Sequence, residues 1–320
     1  MKRTLIPLLA FVLSFIFIIN ACQKDEAYIK PTKSITSINA KILRIVDNKK
    51  GGLNIFVSVT DQQGVAIENL SNSNFNISMI NNNGEETPIP MTDSTSLPSL
   101  IITALTMDYS GSMFDDSTSV PAMETALTSF VNMKNSYDQI EIIKFSDSLQ
   151  VTVPFTNNTT TLLNGITDTT FYGHGYTAFY KAVIKGLDDV QNLAINNPTY
   201  LPSIIGFTDG VNNLPPLTMD SLLNNSILNQ IPVYTVGYGV NPDTIKLKTI
   251  ADSTGGAYAW NPSSSSLSIL YQIVNGQLSN SVVIPIMGPN NKGKVTYRVK
   301  VRYFCEDGLF NATDEKYFYY

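Results

Sequence analysis

Leu100-Ile101-Ile102-Thr103-Ala104-Leu105-Thr106-Met107-Asp108-Tyr109-Ser110-Gly111-Ser112 is an apolar run that ends in a carboxylate and two hydroxyls. Two later stretches complete it. Thr177 lies in Gly173-His174-Gly175-Tyr176-Thr177-Ala178, and Asp209 follows Ile204-Ile205-Gly206-Phe207-Thr208. Asp108, Ser110, Ser112, Thr177 and Asp209 offer only oxygen donors, each at a turn beside an expected strand or helix. Such a set suits a small hard cation. Mg2+ takes oxygen ligands in octahedral geometry and usually keeps waters, and Mn2+ accepts the same donors.

Outward from this stretch, residues 97–279 change between two periods. Near-continuous apolar runs occur at Leu100–Met107, Ile140–Phe145, Ser203–Phe207 and Val233–Val236. Met123, Ala126, Leu127, Phe130 and Val131 make a helical stripe, with Pro121 suited to a first turn. Phe179, Ala182, Val183, Leu187, Val190 and Ala194 make a second, and further helices are expected at 219–229, 243–252 and 264–278. Leu149–Phe155, after the short Ser146-Asp147-Ser148 turn, reads as a hairpin edge strand. Apolar strands alternating with amphipathic helices predict a Rossmann-like, doubly wound α/β fold with a mostly parallel sheet. In such sheets ligands bind beyond the carboxyl ends of the strands, where Asp108 and Asp209 both stand.

The flanks are β-rich. Residues 36–96 alternate in the strand manner, with Leu53–Val59 and Phe75–Ile80 separated by turn signals at Asp61-Gln62-Gln63-Gly64. In 280–320, Val295, Tyr297, Val299, Val301 and Tyr303 alternate with Thr296, Arg298, Lys300 and Arg302, a half-buried strand with a basic outer face. The two flanks either pair into one sandwich with the central domain inserted, or stand as two separate modules.

Asp108-Tyr109-Ser110-Gly111-Ser112-Met113, Thr177 in its glycine-rich turn and Asp209-Gly210 after a strand resemble, in order and spacing, a von Willebrand factor A (VWA) domain. The resemblance covers residues 97–279. It implies a metal-ion-dependent adhesion site. Ser110, Ser112 and Thr177 would give hydroxyl oxygens to Mg2+ (or Mn2+), and Asp108 and Asp209 carboxylates, partly through water. Two carboxylates roughly cancel the ion's charge and leave it able to attract an anion from outside. Members of the family commonly take a glutamate or aspartate of a protein or matrix ligand there. His174 and Tyr176 depart from the small residues common in that turn, which makes them candidate partner contacts. Members that keep the fold and lose the metal are the alternative.

Lys2 and Arg3, an apolar run from Leu5 to Ile19 and small residues before Cys22 describe a secretory signal over residues 1–21. The run is shorter than the roughly 20 residues of a membrane-spanning helix. Ile19-Asn20-Ala21-Cys22 resembles a bacterial lipobox, which makes Cys22 the lipidated residue. Gln23-Lys24-Asp25-Glu26 is similar to the tag of surface-exposed lipoproteins of Bacteroidetes-like bacteria. The expectation is an outer-membrane lipoprotein at the cell surface, with residues 22–35 as a tether and the membrane reached through the lipid. Removal of residues 1–21 takes away two cations and no acid, and the net charge moves from −5 to −7. An acidic chain without a basic cluster gives no footprint for nucleic acid.

Metal clusters built on cysteine and histidine are excluded by supply, since His174 is the single histidine and Cys305 the single cysteine besides Cys22. Cys305, in an alternating segment, reads as a buried structural thiol. Ser110 lacks the Gly-x-Ser-x-Gly setting of a hydrolase nucleophile. Neither a P-loop nor a dinucleotide fingerprint is present. The composition therefore points to a binding protein rather than an enzyme. The competing reading is a periplasmic assembly or scaffold lipoprotein that docks a partner with or without the metal.

Overall fold

The computed structural model describes residues 34–319 apart from 82, 93–96, 99, 116, 172, 174, 210–211, 240–241, 261–280 and 289–292. The expected signal peptide, Cys22, nearly all of the tether, the helix at 264–278 and His174 lie outside the described residues. Strands β1 (Ile38–Asp47), β2 (Gly52–Asp61), β3 (Phe75–Ile80), β4 (Glu86–Pro88) and β5 (Leu97–Pro98) precede β6 (Leu100–Asp108). Then follow α1 (Gly111–Asp115), α2 (Ser119–Met133), β7 (Gln139–Phe145), β8 (Leu149–Thr156), α3 (Thr159–Thr167) and α4 (Phe179–Ala194). After these come β9 (Tyr200–Thr208), α5 (Met219–Asn229), β10 (Val233–Gly237), α6 (Thr244–Thr254) and β11 (Tyr258–Trp260). β12 (Val282–Met287), β13 (Lys294–Cys305) and β14 (Gly308–Tyr319) complete the order.

The six strands of the middle segment form one sheet in the order β11-β10-β9-β6-β7-β8. All its pairs are parallel except the hairpin β7–β8. β6 is buried along almost its whole length because both faces of the sheet are covered. Met123, Leu127 and Val131 of α2 and Leu162 and Ile166 of α3 cover one face. Phe179, Val183, Leu187 and Val190 of α4, Leu222 of α5 and Leu247 and Ile250 of α6 cover the other. The chain leaves β6 for β7 on one side and later returns to β9 on the other. β6 and β9 are therefore the neighbours at which strand order reverses, and it is beyond the carboxyl ends of such a pair that open α/β sheets bind ligands.

The flanking strands form two four-stranded antiparallel sheets, β1-β2-β12-β5 and β14-β13-β3-β4. Each takes strands from both sides of the central segment, so the flanks share one sandwich. Leu53, Ile55, Val57 and Val59 of β2 and Ile284 of β12 face Ile77, Tyr297, Val299 and Val301 across its core. The opposite face of β2 is also covered. Phe56, with Leu43 and Val283, joins the cluster of Leu201, Ile205 and Tyr234 on the central sheet, which makes β2 an interior strand of a layered molecule.

Polar side chains fasten the two parts where no apolar contact could satisfy the backbone. Gln230 ends α5 in the left-handed region at φ 54°. Its side-chain amide accepts from Ile45 N and donates to Ile45 O, each at 3.1 Å, as a neighbouring strand would. Arg44 Nη1 donates to Tyr200 O at 3.0 Å, and its burial pulls the guanidinium down to about 10. β1 carries an irregularity between Ile42 and Arg44. There Asp314 accepts from Ile42 N at 2.6 Å and Lys316 donates to Leu43 O at 2.6 Å. An edge strand whose free groups are taken up by side chains cannot template pairing with another chain.

Candidate metal centre

Asp108 is the last residue of β6 and is fully buried. One carboxylate oxygen accepts from Ser110 N at 2.8 Å, which turns the chain sharply after the strand, and the other accepts from Thr208 Oγ1 at 2.5 Å. Thr208 ends β9, so this bond ties the tips of the two strands at the reversal point. Ser110 is buried, Ser112 in α1 is exposed, and their hydroxyl oxygens are 3.3 Å apart. Asp209 directly follows Thr208 and is 8 % exposed. Its backbone carbonyl accepts from Asp243 N at the start of α6.

Thr177 is buried one residue before the N-cap of α4. Its N–H donates to Asn213 Oδ1 at 2.7 Å, its carbonyl accepts from Asn213 N at 3.2 Å, and Tyr180 N donates to Asn212 Oδ1 at 3.0 Å. The segment after Asp209 therefore clamps the start of α4. The glycine-rich turn is fixed to the first loop as well. Gly111 N donates to Gly175 O, and Ala178 N to Ser146 O. A Cβ on Gly173 would lie 2.4 Å from Tyr109 O, so only glycine admits this approach. Gly175, at φ +90°, sits where L side chains are strained.

The structure thus sets all five sequence-derived donors at or just beyond the ends of strands and the starts of helices at one edge of the sheet, and direct hydrogen bonds link Asp108, Ser110 and Ser112. Burial pushes the Asp108 carboxyl up to about 7, and the charge of Asp209 pushes the same way, against the hydrogen bonds from Thr208 and Ser110. A buried carboxylate beside a second one is costly to ionise, and a divalent cation is the partner that reverses this cost. Among the described residues no three of His, Cys, Asp and Glu converge. Any metal here would rest on hydroxyls as well as carboxylates, and the donor set fits an oxygen-seeking ion.

Sequence reasoning missed Thr208, Asn212, Asn213 and Ser146, whose hydrogen bonds fix the segments that carry the candidate donors. The Asp108-to-Thr208 bond could have been sought, because a hydroxyl next to a strand-end carboxylate is a ready donor. The asparagines carried no signal. Tyr176 is 62 % exposed on the rim, and Phe114 of α1 is 45 % exposed. Cys305 is a free thiol and only half-buried, because β13 ends there at the turn into β14.

Residues 103–212 match the family model described as von Willebrand factor type A domain. No curated protein matches the chain. Among solved structures, a von Willebrand factor type A protein from Catenulispora acidiphila is 12% identical over 91% of this chain and 75% of that one, with a TM-score of 0.51. An aerotolerance-related membrane protein from Bacteroides fragilis is 15% identical over 55% of this chain and 98% of that one, at 0.47. A manganese-loaded Plasmodium vivax TRAP protein is 14% identical over 69% and 95%, at 0.46. With the matched family model, the Catenulispora likeness, at 12% identity, is one of fold, and the fold is that of the von Willebrand factor type A domain.

Proposed function

We propose that this chain, folded around a von Willebrand factor type A domain, is a lipid-anchored envelope protein that binds a protein or matrix partner through a Mg2+- or Mn2+-dependent site. The observation that carries the reading is the buried Asp108, hydrogen-bonded across the strand reversal and facing Asp209, with the hydroxyls of Ser110 and Ser112 beside it. Asp108, Ser110, Ser112, Thr177 and Asp209 would hold the ion, in part through water. The ion would supply an electrophilic position for a carboxylate of the partner. Tyr176, next to Thr177, and Phe114, in α1 with Ser112, expose aromatic surface near the candidate donors in the chain, a setting suited to a protein ligand. The fold supplies a rigid platform, and catalysis plays no part in this reading.

Anchoring would come from lipidation of Cys22, with the chain displayed on the outer membrane. The second reading, a periplasmic scaffold, differs in place rather than in site. Protease applied to intact cells separates the two. Shaving without rupture of the outer membrane is the expected result, and cleavage only after rupture would overturn surface display.

The cation is tested by melting the full chain in EDTA and in Mg2+ or Mn2+. At roughly ten times its dissociation constant a ligand stabilises by about 1.4 kcal/mol. For a protein of this size that is a rise of roughly 2–4 °C. No rise with either ion would sink the metal reading and favour docking without metal.

A further inference from the structure

Lys144 on β7 is fully buried, although lysine is rarely so placed unless partnered. Its ammonium donates to Ile166 O at 3.0 Å and to Asp168 O at 2.5 Å, and lies 4.8 Å from the centre of the Tyr109 ring. The two carbonyls are at the C-terminal end of α3, whose last backbone acceptors have no partner within the helix. Asp168 then turns the chain, its carboxylate accepting from Thr170 N and Thr170 Oγ1 at 2.8 Å each. That turn opens the segment through Gly173 and Gly175 to Thr177. Tyr109 is the residue between Asp108 and Ser110. Its hydroxyl donates to Glu124 of α2 at 2.7 Å, and its ring meets Phe171 edge-on with centroids 6.0 Å apart. One buried cation therefore touches both loops that carry candidate ligands, and Gly173 presses the second loop onto the backbone of the first.

We propose that Lys144 is a positioning residue, which from inside the core holds the Asp108–Ser110 loop and the Asp168–Thr177 loop in register and so sets the affinity of the cation site. An apolar residue would pack in this position as Ile142 does two residues earlier on the same face, without the desolvation that a buried ammonium demands. The two carbonyls and the ring are what that ammonium gains. The proposal rests on the metal reading above.

Its test turns on a sign. If Lys144 acted only through its charge, Lys144→Met would remove a nearby repulsion and tighten binding of a divalent cation. Positioning predicts the reverse, about 10-fold weaker binding, in the range found when groups behind metal ligands are removed. Mn2+ alone is the probe, with free Mn2+ counted by its electron paramagnetic resonance signal in titrations of the full chain. Melting in EDTA runs alongside. Tyr109→Phe keeps the ring and loses the hydroxyl bond to Glu124; it should weaken Mn2+ binding several-fold with little change in the melting temperature. Glu124→Gln keeps an acceptor for Tyr109 and should bind within about two-fold of the native chain.

Wild-type or tighter affinity in Lys144→Met overturns the proposal. Should that variant not fold, unchanged affinity in Tyr109→Leu, which takes away the ring beside the ammonium, overturns it instead. Failure of the native chain itself to bind Mn2+ removes the metal reading, and the proposal with it, which is a different result from native binding that the variants leave intact.

Discussion

Asp108→Asn is expected to melt higher than the native protein in EDTA at pH 8 and to lose its response to Mg2+ and Mn2+. The two effects share one cause. Asp108 is fully buried, is repelled by Asp209, and has its carboxyl pushed up to about 7. An acid raised in the folded state binds its proton there at pH values where the unfolded chain has released it. Stability therefore declines as pH climbs from about 4 to about 7 and stays low above. Asparagine does not ionise, has the same shape, and keeps an acceptor for Ser110 N. Thr208 Oγ1, which donates to Asp108 at 2.5 Å, can accept from the new amide instead. We expect a gain of about 2 kcal/mol at pH 8, or roughly 4–8 °C, alongside at least a ~100-fold loss in cation affinity when a carboxylate ligand becomes a neutral amide. A variant that melts lower in EDTA would make Asp108 an ordinary polar cap. Retained metal response would place the ion elsewhere. The site would then exemplify strain held in a functional position at the expense of stability.

The central sheet was legible in the sequence because its strands are buried on both faces and read as unbroken apolar runs. Leu100–Met107, Ile140–Phe145 and Val233–Val236 fall within β6, β7 and β10, and the stripe from Phe179 to Ala194 spans α4. α3 went unread. Its sequence Thr-Thr-Thr-Leu-Leu-Asn-Gly-Ile-Thr combines β-branched residues with a glycine. It exists because Asn158 caps it, accepting from Thr161 N at 3.0 Å, and because Leu162 and Ile166 are buried against the sheet. Tertiary packing overrode propensity there.

The sandwich was the harder part. That Tyr297 and Val299 point inward could be read from alternation, but not that β13 pairs with β3, more than 200 residues earlier in the chain. Register between distant strands depends on side-chain packing that no local window contains. The same limit explains the candidate site. Asp108, Ser110, Ser112, Thr177 and Asp209 stand out because each ends or begins an element. Thr208 closes an apolar strand and Lys144 lies inside one, where composition reads both as core, and their importance comes only from what the fold sets against them.

Glu141→Gln should flatten the fall in stability between pH 5 and pH 8 and leave the protein about 2 kcal/mol more stable at the upper end. Glu141 lies on β7 among apolar neighbours and is 5 % exposed. Burial chiefly, then the charge of Asp189 and a hydrogen bond with it, raise its carboxyl to about 8, while Lys185 opposes. Lys185 is itself paired with Asp189 one turn away on α4. Glu141 Oε2 has no hydrogen-bond partner among the described residues. The carboxyl is thus held as an acid that donates to Asp189, and ionising it sets two carboxylates against each other between β7 and α4. The folded state keeps this proton up to about pH 8, whereas the unfolded chain sheds it near 4.5. Stability is therefore lost as pH rises through that window, opposite to the trend for a salt-bridged acid. Glutamine preserves the donor to Asp189 and has no proton to lose. The comparison is best made in the Asp108→Asn background, which removes the other strongly raised carboxyl, with urea unfolding at each pH. Parallel profiles in variant and parent would mean that Glu141 is ionised and shares Lys185. In that case the packing of α4, which begins two residues after Thr177, would carry no pH dependence of its own.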